Sequence, residues 1–188
     1  MFAEVIKMKF QFKVNMTDED YFLFNKFQAI DSPFGKKQIQ KIRLVIVAAS
    51  AVLTLVSLWL NGFTADSFIG LIPFLLIMII LVVTVPKTFA GSIKRQLKLM
   101  KKHGKQGYSP ESVVEFYDDY FSETTPDNKT EHKYSAVENI FAVEGKYVYI
   151  FVNNVMAYII PRSSFESVGQ YNDFLTFMES KCSPVKYC

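Results

Sequence analysis

Leu44–Leu60 reads LVIVAASAVLTLVSLWL and Phe68–Val85 reads FIGLIPFLLIMIILVVTV, with only Asn61–Ser67 between them. Neither run holds a charged side chain, and from Leu44 to Pro86 the single charge is Asp66. An α-helix needs roughly 20 apolar residues to cross about 30 Å of hydrocarbon. The pair therefore reads as a transmembrane helical hairpin over residues 42–86, with spans at about 42–60 and 68–86. The first run begins too far from Met1 for the n-region of a cleavable leader, so it is expected to stay as a span.

Charge is segregated around this hairpin. Lys36, Lys37, Lys41 and Arg43 precede the first span, seven basic residues lie within 87–105, and the 61–67 connection has none. Basic flanks are retained in the cytoplasm, which predicts cytoplasmic termini and an outer loop at Asn61–Ser67. Residues 106–188 carry 6 Lys/Arg against 12 Asp/Glu. The pI of 8.7 thus comes from the membrane flanks. A nucleic-acid reader would carry its basic patch on the folded domain, so no nucleic-acid partner is expected.

The spans contain no ionisable side chain of the kind that marks an ion path. They read as an anchor, with Ala48, Ala49, Ser50 and Ala51 as a small-residue face that another helix can approach. Thr88–His103 then reads as a helix with Phe89, Ile93, Leu97 and Met100 along one stripe. Residues 87–105 form a basic amphipathic stalk in this reading. Lys94, Arg95, Lys98, Lys101 and Lys102 are its candidate lipid-headgroup contacts.

On the N-terminal side, residues 1–41 supply a strand and a juxtamembrane helix. Ile6, Met8, Phe10, Phe12 and Val14 alternate with Lys7, Lys9, Gln11 and Lys13, the period of a half-buried strand. Thr17 followed by Asp18-Glu19-Asp20 is a helix start, and Ser32-Pro33-Phe34-Gly35 ends that helix. A lone strand must pair with something distant, and the domain at 106–188 is the available partner.

In 106–188 the period is two. Val113–Tyr117 and Tyr120–Thr124 form a predicted hairpin around Asp118-Asp119, and Glu131–Tyr134 a short strand. Ser135–Glu138 reads as a one-turn capping box. Ile140–Val143, Tyr147–Val152 and Val155–Ile160 form a meander with turns at Glu144-Gly145-Lys146 and Asn153-Asn154. Ser163 or Ser164 is expected to cap a last helix that buries Val168, Tyr171, Leu175 and Met178. The N-terminal strand would complete a seven-strand curved sheet closed by this helix, the pleckstrin-homology (PH) architecture. The fold class is therefore an α+β membrane protein: a two-helix hairpin plus a PH-like antiparallel β domain.

No residue pattern carries catalysis. His103 and His132 lack Cys, His or carboxylate partners at metal-ligand spacing. Asp118 and Asp119 are strand neighbours and serve a turn, and no phosphate loop or nucleophile elbow is present. Cys182 and Cys188 read as reduced tail cysteines. No enzyme, metal or cofactor is expected. The exposed share of Tyr117, Tyr120, Tyr147 and Tyr149 is a candidate binding edge, since Tyr is favoured at interfaces.

Tyr134-Ser135-Ala136-Val137 leading to Ile140, then Tyr147-Val148-Tyr149-Ile150-Phe151, Tyr158-Ile159-Ile160-Pro161 and Phe165, resemble the bacterial YcxB-like family. The family usually has Trp where Tyr134 stands, a departure that keeps an aromatic. The resemblance implies a membrane-tethered PH-like domain in the bacterial inner membrane and carries over no functional residues. Three roles fit: a module binding a protein partner or a second copy of itself, a membrane immunity or stress-resistance factor, and an anionic-lipid sensor working through the basic stalk.

Overall fold

The computed structural model describes residues 7–104, 106–153 and 156–188. Ile6, Lys105, Asn154 and Val155, which figure in the expected strand, stalk, turn and meander, lie outside them. The chain divides into two compact units, 1–24 with 106–188, and 25–105.

The first unit is α+β. Strand β1 (Phe10–Asn15) leads to helix α1 (Asp18–Lys26). After the second unit come β2 (Glu111–Phe116), β3 (Tyr120–Thr124) and β4 (Lys129–Lys133). β5 (Asn139–Val143), β6 (Tyr147–Phe151) and β7 (Ala157–Pro161) follow. The helix Val168–Lys181 and a strand Val185–Tyr187 end the chain.

The strands form two four-stranded sheets instead of the expected single seven-strand sheet. The first runs β1-β2-β3-β4, and the second runs β7-β6-β5 plus Val185–Tyr187. β1 pairs antiparallel with β2, Phe12 opposite Val114, so the apolar helices are an insertion between two neighbouring strands. The eighth strand pairs parallel with β5. It covers an edge that would otherwise be open to another chain.

The core lies between the sheets and under the last helix, around Phe12, Phe116, Phe121, Ile150, Ile160 and Phe174. Phe174 is a core residue that the expected apolar face omitted, while Val168 is 66% exposed. The cause is the cap: Ser167, not Ser163 or Ser164, accepts the Gln170 amide hydrogen. Arg162–Ser164 is a 3-10 turn, which places Val168 in the solvated first turn. Ser135 likewise caps nothing; Tyr134–Ala136 is a 3-10 turn without a side-chain cap.

The second sheet is covered on both faces. Phe24 of α1 lies against Tyr149 and Phe151 on its outer side, with ring centroids 5.3 and 5.9 Å away. That double burial explains why β5–β7 are continuously apolar rather than alternating. At Glu144 and Gly145 φ is +48° and +63°, the positive values that a tight hairpin turn requires.

The second unit holds a π-helical turn (Phe27–Asp31), α2 (Pro33–Asn61) and α3 (Ala65–Lys102). Ser32 caps α2, so this helix starts at Pro33 and carries Lys36, Lys37, Lys41 and Arg43 on its own first turns. α3 is a single helix of 38 residues and runs unbroken from the second apolar run into the basic segment. Both helices are long and apolar enough to cross a membrane. They pack on each other, with Leu58 and Val85 buried, and Ala48, Ala49 and Ala51 are exposed.

Candidate interaction surfaces

α3 presents the candidate headgroup contacts on one side. At 100° per residue, Lys94, Arg95, Lys98, Lys101 and Lys102 fall within an arc of about 120°, and Lys87 joins it. All six are exposed, while Ile93, Leu97 and Met100 on the opposing stripe are half-buried. Phe89, expected in that stripe, is 38% exposed.

The four tyrosines do not form one edge. Tyr117 and Tyr120 stack 4.7 Å apart beside the β2–β3 turn. Tyr147 and Tyr149 stack on β6, where Tyr149 is 1% exposed. Tyr147 donates to Asp20 Oδ1 at 2.7 Å, and the Thr17 amide and hydroxyl donate to Oδ2 at 2.9 and 2.6 Å. Burial opposes the Asp20 charge, but these hydrogen bonds outweigh it and hold the carboxyl below its ordinary 3.8.

Asp118 is a turn residue in the structure as in the reading of the sequence, and it pairs with Lys9 at 3.2 Å and Lys181 at 3.7 Å. Tyr134 supports the same turn, donating its hydroxyl to the Tyr117 carbonyl at 2.7 Å. Cys182 is half-buried and free, and burial pushes its thiol up to about 11. Such a thiol is a poor nucleophile at neutral pH. Among the described residues, no three His, Cys, Asp or Glu side chains gather to hold a metal ion.

A cleft opens where the core-facing side of the first sheet turns polar. Successive cross-strand rows read Phe116–Phe121, then Val114–Glu123–Thr130. The cleft is about 310 Å³ and continues into a recess of about 270 Å³, the two sharing Glu123, Thr125 and Tyr158. Tyr158, from β7, approaches Thr130 Oγ1 at 3.4 Å and meets His132 edge to face at 5.7 Å. Tyr21 and Tyr108 form an aromatic pair at the other end, 5.0 Å between centroids, and the Tyr108 hydroxyl donates to Asp18 at 2.8 Å. Burial is the main cause of a raised Tyr158 pKa; the Thr130 hydrogen bond opposes it and the Glu123 charge adds to it. The phenol therefore stays protonated.

This cleft was hidden in the sequence. Glu123 and Tyr158 sit 35 residues apart on different sheets, and only the meeting of the sheets brings them together. The one local signal is a carboxylate at a core-facing strand position, a break in the alternation rule.

Residues 116–178 match the model of the family described as YcxB-like protein. No curated protein and no solved structure matches the chain.

Proposed function

We propose that this chain is a bacterial inner-membrane anchor that holds a PH-like β domain in the cytoplasm as a non-enzymatic interaction module, binding a protein partner or a second copy of itself. The observation that carries the reading is the exposure of the two apolar helices. Leu44, Trp59, Ile69 and Val83 are 68, 76, 62 and 63% exposed. The helices of a soluble core bury such residues, whereas lipid tails solvate them at no cost. The basic residues at the α2 start and the α3 end support cytoplasmic termini. The two sheets with a terminal helix support the PH-like reading. The acidic β domain, with Tyr117, Tyr120 and Tyr147 partly exposed, supports protein binding over catalysis.

Paired reporters, one active only in the cytoplasm and one only outside it, test the topology when fused at each terminus and within 61–67. Cytoplasmic signals at both termini and an external signal from the loop are expected; an external terminus overturns the orientation. Photocrosslinkers on the exposed β domain, activated in native membranes, test the interaction. Discrete protein adducts are expected, and adducts to lipid alone overturn it.

A second reading rests on the α3 arc. Six exposed cations on one helix face, next to an apolar stretch, suit anionic headgroups.

A further inference from the structure

We propose that the cleft between the two sheets binds a lysine side chain from a basic segment of a protein partner, with the Glu123 carboxylate taking the ammonium group. The inference deepens the interaction reading above and names the chemistry of the partner.

Glu123 is half-buried, and no hydrogen bond or ion pair to its carboxylate occurs among the described residues. Half-burial on a core-facing row removes part of a carboxylate's hydration, and a cation docked beside it offsets that loss. Among the described residues no Lys or Arg lines the cleft or its recess, and His132 is the one basic side chain there, so the site has room for a cation from outside. The hydroxyls of Ser112, Thr125 and Thr130 line the same cleft and recess, those of Thr125 and Thr130 also bonding Asn128 and Tyr158, and their remaining lone pairs suit the N–H donors of an ammonium group. The walls suit the rest of the side chain. Tyr21, Tyr108 and Tyr158 offer ring faces to a cation, and Ala157 and Ile159 offer apolar surface to a four-carbon stem.

Charge complementarity favours a basic polypeptide as the source. The segment 106–188 that forms most of this unit has a net charge of −6, which draws cationic partners and repels anionic ones. Gly107 fits the same site: a Cβ there would lie 2.5 Å from the Tyr21 hydroxyl, so the glycine allows the Tyr21–Tyr108 pair to close the end of the cleft.

The test uses the full chain in zwitterionic nanodiscs with 13C-methyl methionine. Met16 and Met156 line the cleft, and Met178 is buried in the core as an internal control. Nα-acetyl-lysine N-methylamide should shift the Met16 and Met156 signals and leave Met178 unmoved. Nα-acetyl-norleucine N-methylamide, which has the stem without the charge, should bind at least tenfold more weakly. Glu123→Gln, close to isosteric, should weaken the lysine probe at least tenfold. Glu115→Gln, on the opposite face of the same sheet, should leave it unchanged. Equal binding of the two amides, or an unaffected Glu123→Gln variant, overturns the site. Equal binding of cadaverine assigns the cleft to a free amine and overturns the polypeptide source. Protein crosslinks that persist in Glu123→Gln would leave the interaction reading standing without this site.

Discussion

Arg43 donates its Nε–H to the main-chain carbonyl of Val82 at 3.1 Å, and the cause lies four residues along α3. In an α-helix without proline that carbonyl receives the amide hydrogen of residue 86. Residue 86 is proline, which has no hydrogen to give and pushes the carbonyl outward. The arginine on α2 supplies the missing donor. Arg43→Met should therefore destabilise the helix pair by about 1–2 kcal/mol. In Pro86→Ala, where the amide satisfies Val82 again, the same change should cost far less. Denaturation of the four proteins of this double-mutant cycle in detergent reads the coupling; additive effects would refute it.

Tyr147 and the first turn of α1 meet at Asp20, and that contact has a pH signature. The folded carboxyl titrates below its ordinary 3.8 because it accepts hydrogen bonds from Thr17 and Tyr147. A depressed carboxyl contributes its stability in full above the unfolded pKa, about 3.9, and loses it as pH falls through the folded value. The wild type should thus lose stability below about pH 4. Asp20→Asn should cost about 1 kcal/mol at neutral pH, as loss of a cap does, and should flatten the acid limb. Thermal unfolding of the full chain from neutral to acid pH, followed by near-ultraviolet circular dichroism, checks both. An acid limb identical in the two proteins would count against the assignment.

The features legible in the sequence are those fixed by local period and local charge. The two apolar runs became α2 and α3, the β2–β3 hairpin turned at Asp118-Asp119, and Thr17 capped α1. The exposed basic arc followed from helical spacing alone. Choices between equivalent local signals went astray. Ser163 and Ser164, the expected caps, lie in a 3-10 turn, and Ser167 caps the helix instead. Val185–Tyr187 is only three residues long and owes its strand to the open edge of β5. Burial of Tyr149 depends on α1, more than a hundred residues earlier, and so could not be read from the alternation of β6.

Gly35 sits where the chain leaves the π-helical turn. A Cβ at this position would lie 2.6 Å from both the Ala29 carbonyl carbon and the Ile30 nitrogen. These are main-chain atoms and cannot swing aside. Ser32 ties the same junction, donating its hydroxyl to the Gln28 carbonyl at 2.8 Å and accepting the Gly35 amide at 2.9 Å. Gly35→Ala should destabilise the protein by about 1–3 kcal/mol through overpacking. Gly91→Ala is the contrast: its Cβ meets nothing within 4 Å, so helix propensity should make the change neutral or stabilising by up to about 1 kcal/mol. Melting temperatures in detergent compare the two; equal shifts would contradict the packing argument.

The basic arc of α3 makes a prediction about lipid rather than protein. Each cation near an anionic surface contributes about 1 kcal/mol, and the attraction decays over a Debye length of about 8 Å at physiological salt and about 3 Å at 1 M. Reconstituted wild-type protein should immobilise spin-labelled phosphatidylglycerol in preference to phosphatidylcholine. Changing Lys94, Arg95, Lys98, Lys101 and Lys102 to Gln should remove most of that preference, and high salt should remove it from the wild type. Lys129 lies on β4 and pairs with Glu131 at 3.0 Å, so Lys129→Gln should leave the preference as it was. A selectivity that survives the fivefold change, or that ignores salt, would mean that the cations on this face serve solubility and topology and do not recognise lipid.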